Sequence, residues 1–455
     1  MKKVTFSALA AVMLSGVVYA DAMTLFSDPK TGQVFTTAGE NRVEMGDFVD
    51  AKTVDMANRD QESKLSEYQD AQKKYVNVKS HAKTLEFSGE HYFGYTTNTY
   101  GANSANGNEK SAGFEARRNY VQVKAFFNDK DYFRVTMDAT KELEATNSLQ
   151  TLDAKGDGPA NVIIKYAYMY LDKVLPYTGV EVGIAHRPWI DYEEHNSWNY
   201  RSINKVILED KIGTTGVDTM NSADLGVNFQ TKTPYISSEL GLFNGEGYHS
   251  TTNQKLNTGM SAEWRLTGHV MGNGEQVGKY KLDKDTYLNV SFAGLSSKDH
   301  KTADDVIQAT ADRYDRNAYW FHAVYSQPLF LIAAQYDVTK DNHMNTPAKT
   351  RNIKSWSVNG EIRPMTDWTV LGRFDNVKVD FDNDSASNLN NTGDTTQMIY
   401  GVAYEYNKNV KFIASGKTVN AKDTKTVNST AYADATTTGT LADKQSWMLT
   451  TEVKW

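Results

Sequence analysis

The chain closes on SWMLTTEVKW, in which Trp447, Leu449, Thr451, Val453 and Trp455 alternate with Met448, Thr450, Glu452 and Lys454. Strict alternation places the two sets on opposite faces of a strand. A terminal aromatic on such a strand is the pattern of a β-barrel that crosses the bacterial outer membrane. The same alternation recurs through most of the chain. Beyond the N-terminus no stretch approaches the ~18 consecutive apolar residues that a spanning helix needs. Mean hydropathy is only −0.57. A barrel reconciles that polarity with a bilayer, because only alternate residues face lipid.

The N-terminus reads MKKVTFSALAAVMLSGVVYA. Lys2 and Lys3, an apolar run from Phe6 to Val17, and the small-residue site Val18-Tyr19-Ala20 predict a secretory signal over residues 1–20. The chain contains no cysteine, so disulfides, thiol nucleophiles and Cys-based metal sites are excluded. The net charge of −7 argues against a nucleic-acid partner.

Residues 21–82 differ from the rest and are read as a short N-terminal periplasmic segment, partly helical, or a plug-like one. DPKTGQVFTTAGENRVEMGDFVD carries turn signals and no sustained period. From Asp55 to Lys79 the chain is charged and helix-compatible, with Leu65, Tyr68, Gln72 and Tyr75 at 3-4-3 spacing. That pattern fits a solvated tether or a short coiled coil supporting a trimer.

From residue 83 to 455, strands and turns alternate. Counting from TLEFSGEHYFGYTT to the terminal strand gives about sixteen strands. The fold class expected is all-β: a transmembrane antiparallel β-barrel. Connections alternate in length. Those at Asn128 to Asp131, Leu175 to Thr178, Thr233-Pro234, Gln327-Pro328, Met365 to Asp367 and Asn407 to Asn409 are short. Those between them, such as Asn98 to Ser111, Lys141 to Ala160 and Ala421 to Lys444, are long and polar. Short periplasmic turns and long external loops give that rhythm; a soluble β-sandwich has no cause to. Gly272 to Lys284 breaks it, being long where a short turn is due.

Val121, Val123 and Ala125 oppose Arg118, Tyr120, Gln122 and Lys124, and Trp368, Val370 and Phe374 oppose Thr369, Arg373 and Asp375. About sixteen strands enclose a lumen too wide for side chains to fill, so the polar set is expected to line water and the apolar set to face lipid. Tyr166, Tyr168, Tyr170, Trp368, Tyr404, Tyr406 and Trp455 are assigned to interfacial girdles.

Charged inward side chains at the narrowest level set selectivity in a pore. The basic candidates are Arg118, Lys124, Arg134, Lys165, Arg187, Arg265, Arg363 and Arg373, with Lys411 and Lys417 beside them. The acidic ones are Glu86, Glu90, Asp138, Glu181, Glu239, Glu263, Glu361 and Asp375. Arg118, Arg134 and Lys165 could form an anion ladder. The alternative is pairing that keeps the wall rigid, as in Glu263 with Arg265 and Arg373 with Asp375. The longest loop, Pro188 to Asn221, is the third external one. It carries Trp189, Trp198, Ile203, Val206, Ile207 and Leu208, more apolar than an exposed loop requires. Folded inward, it would make a constriction in which Asp191, Glu193, Glu194, Arg201 and Lys205 oppose wall arginines such as Arg187. An external cap or subunit contact is the other reading.

No enzymatic constellation competes. His186 and His195 lie near acidic residues without a zinc-protease helix motif, GNGEQVG at Gly272 to Gly278 lacks the context of a nucleotide loop, and DNDSASN around Asp382 lacks the terminal Glu of an EF-hand. No catalytic residue, cofactor or metal is expected.

FEARRNYVQVKAFFNDKDYFRVTMD resembles the strand-turn-strand of the phosphate-selective porin O and P family: paired arginines entering a strand, a short acidic turn, an aromatic restart. The resemblance covers that hairpin in motif and Thr84 to Trp455 in architecture. It implies a sixteen-stranded, usually trimeric, anion-conducting channel, with Arg118 and Arg134 at the matching positions. The acidic first half of the third loop departs from that pattern. The expectation is an outer-membrane porin in contact with lipid, passing small hydrophilic solutes or anions as a homotrimer. The rivals are a barrel that scaffolds or sheathes a partner, and an outer-membrane hydrolase.

Overall fold

The computed structural model describes residues 23–48, 81–100, 110–140, 161–210, 212, 219–245, 247–248, 260–282, 284–300, 314–343, 349–383, 391–422 and 444–455. The expected signal (1–20), the charged helix (55–79) and the interiors of several long loops lie outside the described residues.

The first unit is a small antiparallel sheet of β1 (Met23–Ser27), β2 (Val34–Phe35) and β3 (Val43–Phe48), in the order β2-β1-β3. The turn signals in DPKTG do shape it: Asp28 Oδ1 accepts from the Lys30 amide at 2.8 Å, and Gly32 takes a left-handed φ of 72°. These strands carry no sustained period because they are short and the register slips between Leu25 and Phe26.

The second unit begins at His81. Its first eight strands are β4 (Thr84–Tyr100), β5 (Lys110–Phe126), β6 (Tyr132–Thr140), β7 (Asn161–Leu175), β8 (Thr178–His186), β9 (Ala223–Lys232), β10 (Ile236–Phe243) and β11 (Ser261–Met271). The other eight are β12 (Tyr287–His300), β13 (Tyr314–Gln327), β14 (Phe330–His343), β15 (Lys349–Met365), β16 (Trp368–Asn383), β17 (Asn391–Asn407), β18 (Val410–Lys422) and β19 (Lys444–Lys454). Each pairs antiparallel with its neighbours, and β19 pairs with β4 to close a sixteen-stranded barrel. At the seam Gly89 and Trp455 exchange backbone hydrogen bonds of 2.9 and 3.0 Å. A Cβ on Gly89 would stand 2.5 Å from the Trp455 indole, so only glycine lets the terminal aromatic lie there.

Closure leaves no free edge, which is what a sheet in hydrocarbon requires. The outer face is apolar: Phe87, Leu240, Leu266, Phe321, Ile332, Val370, Met398 and Leu449 are all exposed. No helix among the described residues is long and apolar enough to cross a membrane; the crossing is made by strands. The protein is an outer-membrane β-barrel. Trp368 and Tyr404 pack ring to ring at 4.7 Å near strand ends, and Tyr406 and Trp455 are exposed, as interfacial aromatics should be.

Two bulges interrupt the alternation, and the one on β7 overturns the girdle assignment there. On β5, Tyr92 pairs with Arg118 and Phe93 with Ala116, leaving Arg117 as an extra residue. On β7, Thr136 pairs with Tyr166 and Met137 with Ile164, leaving Lys165 extra. A single inserted residue reverses the facing of everything beyond it. Val162 and Ile164, 65% and 51% exposed, face outward, whereas Tyr166 and Tyr168, 5% and 1% exposed, point inward. Those tyrosines are therefore not girdle residues.

The interior is also unlike the expected polar wall. Ala293, Leu295, Trp320, Ile353, Leu371, Val377, Ile399, Ile413 and Met448, all from β12 to β19, are buried on the inner side. They pack on Trp189, Ile190, Trp198, Ile203, Val206, Ile207 and Leu208 of the β8–β9 connection, which form one apolar cluster with them. Burial of each large side chain contributes ~1.5–3 kcal/mol. The third loop is thus the core of one half of the barrel. The polar-in, apolar-out rule fails on that half because the interior partner is protein, not water.

Candidate functional site

The β8–β9 connection enters the barrel through a short helix, α1 (Ile190–Asn196). Its two indoles are satisfied locally: Trp189 Nε1 donates to Glu193 at 2.7 Å and Trp198 Nε1 to the Asn204 carbonyl at 2.8 Å. Wall side chains then grip its backbone. Arg117 donates to the Ser202 carbonyl at 3.0 Å, Asn359 to that of Ser197 at 2.8 Å and Arg373 to that of Lys205 at 2.6 Å. The Ser202 hydroxyl donates to Glu452 at 2.5 Å, Gln397 donates to Asp210 at 3.0 Å, and the Tyr200 hydroxyl bonds Glu361. The anchors come from β5, β15, β16, β17 and β19, so the loop reaches across the lumen.

A cavity of about 690 Å³ lies against the other half of the wall. Tyr120, Arg134, Lys165, Tyr166, Tyr168 and Lys232 line its strand side. Asp191, Glu194, His195 and Arg201 face them from the loop. Of the five constriction-loop candidates, Asp191, Glu194 and Arg201 therefore reach the cavity. Glu193 is buried under Trp189 instead, and Lys205 lies 3.8 Å from Glu209. Glu194 and Glu209 both bind Arg201.

The predicted wall cations separate into two groups. Arg187 makes a two-nitrogen grip on Glu263, with Nε 2.9 Å from both carboxylate oxygens. It is fully buried and does not oppose the loop acids. Arg265 pairs with Glu239 at 2.7 Å, Arg363 with Glu361, and Arg373 with Asp375 at 2.8 Å. Arg265 takes Glu239 because the two sit directly opposite across β10 and β11; the expected Glu263–Arg265 pair does not form. Arg118 lies 3.8 Å from Asp138.

Arg134, Lys165 and Lys124 have tyrosine partners in place of carboxylates. The Arg134 guanidinium stands 4.5 Å over the Tyr166 ring and donates to the Tyr168 hydroxyl at 3.2 Å. Lys165 donates to the Tyr120 hydroxyl at 3.0 Å and lies 4.4 Å over its ring. Lys124 lies 5.3 Å over Tyr132. A cation over a ring keeps its full charge while being fixed in place.

The acids lining the cavity each have a basic partner. Glu90 meets Lys454 at 2.7 Å, Glu181 meets His186 at 3.0 Å, Asp191 meets His195 at 3.5 Å and Glu452 meets Lys411 at 3.5 Å. Glu194 and Glu239 hold Arg201 and Arg265. Among the described residues, no group of three or more His, Asp and Glu is placed to hold a metal ion.

Sequence reasoning missed Arg117, Arg316 and Arg351. Arg117 was hidden by the bulge, although the doubled arginine was its signal. Arg316, paired with Asp341 at 2.7 Å, and Arg351, 3.8 Å from the same carboxylate, lie on strand extensions whose polar ends carry no hydrophobic alternation.

No protein-family model matches the chain, and no curated protein matches it. Solved structures do. The anion-selective porin from Comamonas acidovorans aligns with a TM-score of 0.54 at 11% identity, over 82% of this chain and 99% of that one. The outer-membrane protein OmpT of Vibrio cholerae aligns at 0.52 and 12%, over 83% and 99%. A trimer form of OmpT gives the same score and identity, over 82% and 99%. At such identities the likeness is one of fold: the chain is a porin-like barrel.

Proposed function

We propose that this barrel is a passive diffusion channel for small hydrophilic solutes, biased toward anions and assembled as a homotrimer. One observation carries the bias. Of the cations lining the cavity, Arg134, Lys165, Lys232 and Lys279 have no carboxylate within 4.0 Å among the described residues, whereas every acid there is engaged. A passing anion meets positive charge with no carboxylate in contact with it, and a cation meets carboxylates that each already hold an arginine, lysine or histidine. Trimer assembly draws support from the trimer form of the OmpT fold relative. The likeness of the Arg118–Arg134 hairpin to phosphate-selective porins makes phosphate the anion to test first.

The experiment is planar-bilayer recording of the refolded protein with a KCl gradient across the membrane. Stepwise currents reversing on the chloride side, reduced by added phosphate, are expected. Reversal on the potassium side would remove the anion bias and leave a channel. A folded barrel without current would end the channel reading.

A further inference from the structure

Of the seven connections at the short-turn end of the barrel, the one joining β11 to β12 is the exception in length. It folds inward. Gly274 N donates to Pro234 O at 2.9 Å, anchoring it to the turn before β10. Arg363 donates to Leu282 O at 3.0 Å and to Gln327 O at 2.8 Å, anchoring its other end to the β13–β14 turn. Tyr280 stacks on Tyr287 at 4.2 Å and donates to Asn273 O at 2.8 Å.

Between these anchors the segment meets the third loop. Val277 is buried in the same apolar cluster as Trp189 and Trp198. Gly278 N approaches Asn196 Oδ1 at 3.4 Å, at the C-terminal end of α1, and Tyr287 donates to Asn196 O at 2.6 Å. The glycines of GNGEQVG have geometric reasons. Gly272 and Gly278 take φ of 92° and 74°, and a Cβ on Gly274 would stand 2.2 Å from Thr233 O. Val277, Gly278, Lys279 and Leu282 line the cavity.

We propose that residues 273–282 are an inner floor: a second constriction, at the short-turn end, that narrows the solute path and holds α1 in place, with Lys279 as its selectivity-determining charge. This rests on the channel reading. External loops are the usual source of pore constrictions; here the opposite end contributes one, and a solute passes two filters in series.

The test compares the wild-type protein, a variant lacking residues 273–282, and Lys279→Cys, all by planar-bilayer recording. The chain has no cysteine of its own, so a thiol reagent acts at position 279 alone. Deletion is expected to raise unit conductance by roughly twofold or more, as a wider constriction does. An anionic methanethiosulfonate on Lys279→Cys is expected to reduce current and move the reversal potential toward cations. A folded deletion variant with wild-type conductance overturns the proposal. So does complete modification at 279, verified by mass, that leaves the current unchanged; this result decides alone if the deletion fails to fold. Current from the deletion variant only supports a floor that closes the path. No current from either folded protein ends both this proposal and the channel reading.

Discussion

Arg117 Nη1 donates to the carbonyl oxygen of Ser202 at 3.0 Å and lies 3.0 Å from Met448 Sδ, so an extra residue on β5 clasps the middle of the third loop. The bulge turns it inward; without it, strict alternation would put a guanidinium in lipid. A hydrogen bond from a charged donor to a buried carbonyl is worth about 1.5–3 kcal/mol. Arg117→Ala should therefore keep the barrel and loosen the loop. The expected readouts are a lower thermal midpoint and added current noise in single-channel records. An unchanged midpoint with quiet channels would show that the apolar packing holds the loop unaided.

The cations that rest on tyrosines should control selectivity. A unit charge about 5 Å from the ion path is worth ~0.8 kcal/mol at the dielectric of water, or about a fourfold change in local anion occupancy. Arg134→Gln and Lys165→Gln should each lower the anion-to-cation permeability ratio by a factor of that order, without altering thermal stability to the same degree. The check is the reversal potential in a salt gradient, repeated at high ionic strength, where the difference should shrink.

Arg187 and Glu263 should behave in the opposite way. Both side chains are buried against each other, away from the cavity. Removing one partner leaves an uncompensated buried charge, which costs about 3–5 kcal/mol. Arg187→Met alone should destabilise strongly, while Arg187→Met with Glu263→Leu should recover most of the loss. Thermal unfolding of the two single variants and the double variant measures the coupling. Among correctly folded channels, reversal potential should not move.

How much of this was legible beforehand follows from what each signal depends on. Lipid-facing residues such as Leu449, Phe87 and Val370 repeat with a period of two because the bilayer demands it, so the strands, their order and the terminal Trp455 were readable. The alternation of connection lengths exposed the segment after Met271 as anomalous, though not that it folds inward. The bulges at Arg117 and Lys165 are single-residue events; the first is marked only by the doubled arginine, and the second, unmarked, moved Tyr166 and Tyr168 from the predicted girdle into the lumen. The inward apolar residues, Trp320 and Ile399 among them, match a partner 100 or more residues away in sequence, which periodicity cannot register. For the same reason the opponent of Arg187 was not readable: its carboxylate is that of Glu263 on β11, not one of the third-loop acids.

Glu193 offers a pH test confined to the loop. Its carboxyl is buried, accepts from Trp189 Nε1 at 2.7 Å, and does not line the cavity. Burial pushes it from its ordinary value of 4.5 up to about 8, with Arg373 opposing that rise. The folded state therefore holds a proton that the unfolded chain releases as pH climbs. Its contribution to stability is complete below 4.5 and is lost as pH rises through about 8. Glu193→Gln keeps the shape and an acceptor for Trp189 while removing the titration. Thermal unfolding in detergent should show the wild-type midpoint falling from pH 5 to pH 9 more steeply than that of the variant, with the two converging at the acid end. Unit conductance at pH 7 should be the same in both. An identical pH slope in the two proteins would mean that Glu193 is ionised in the fold and that Arg373 outweighs its burial.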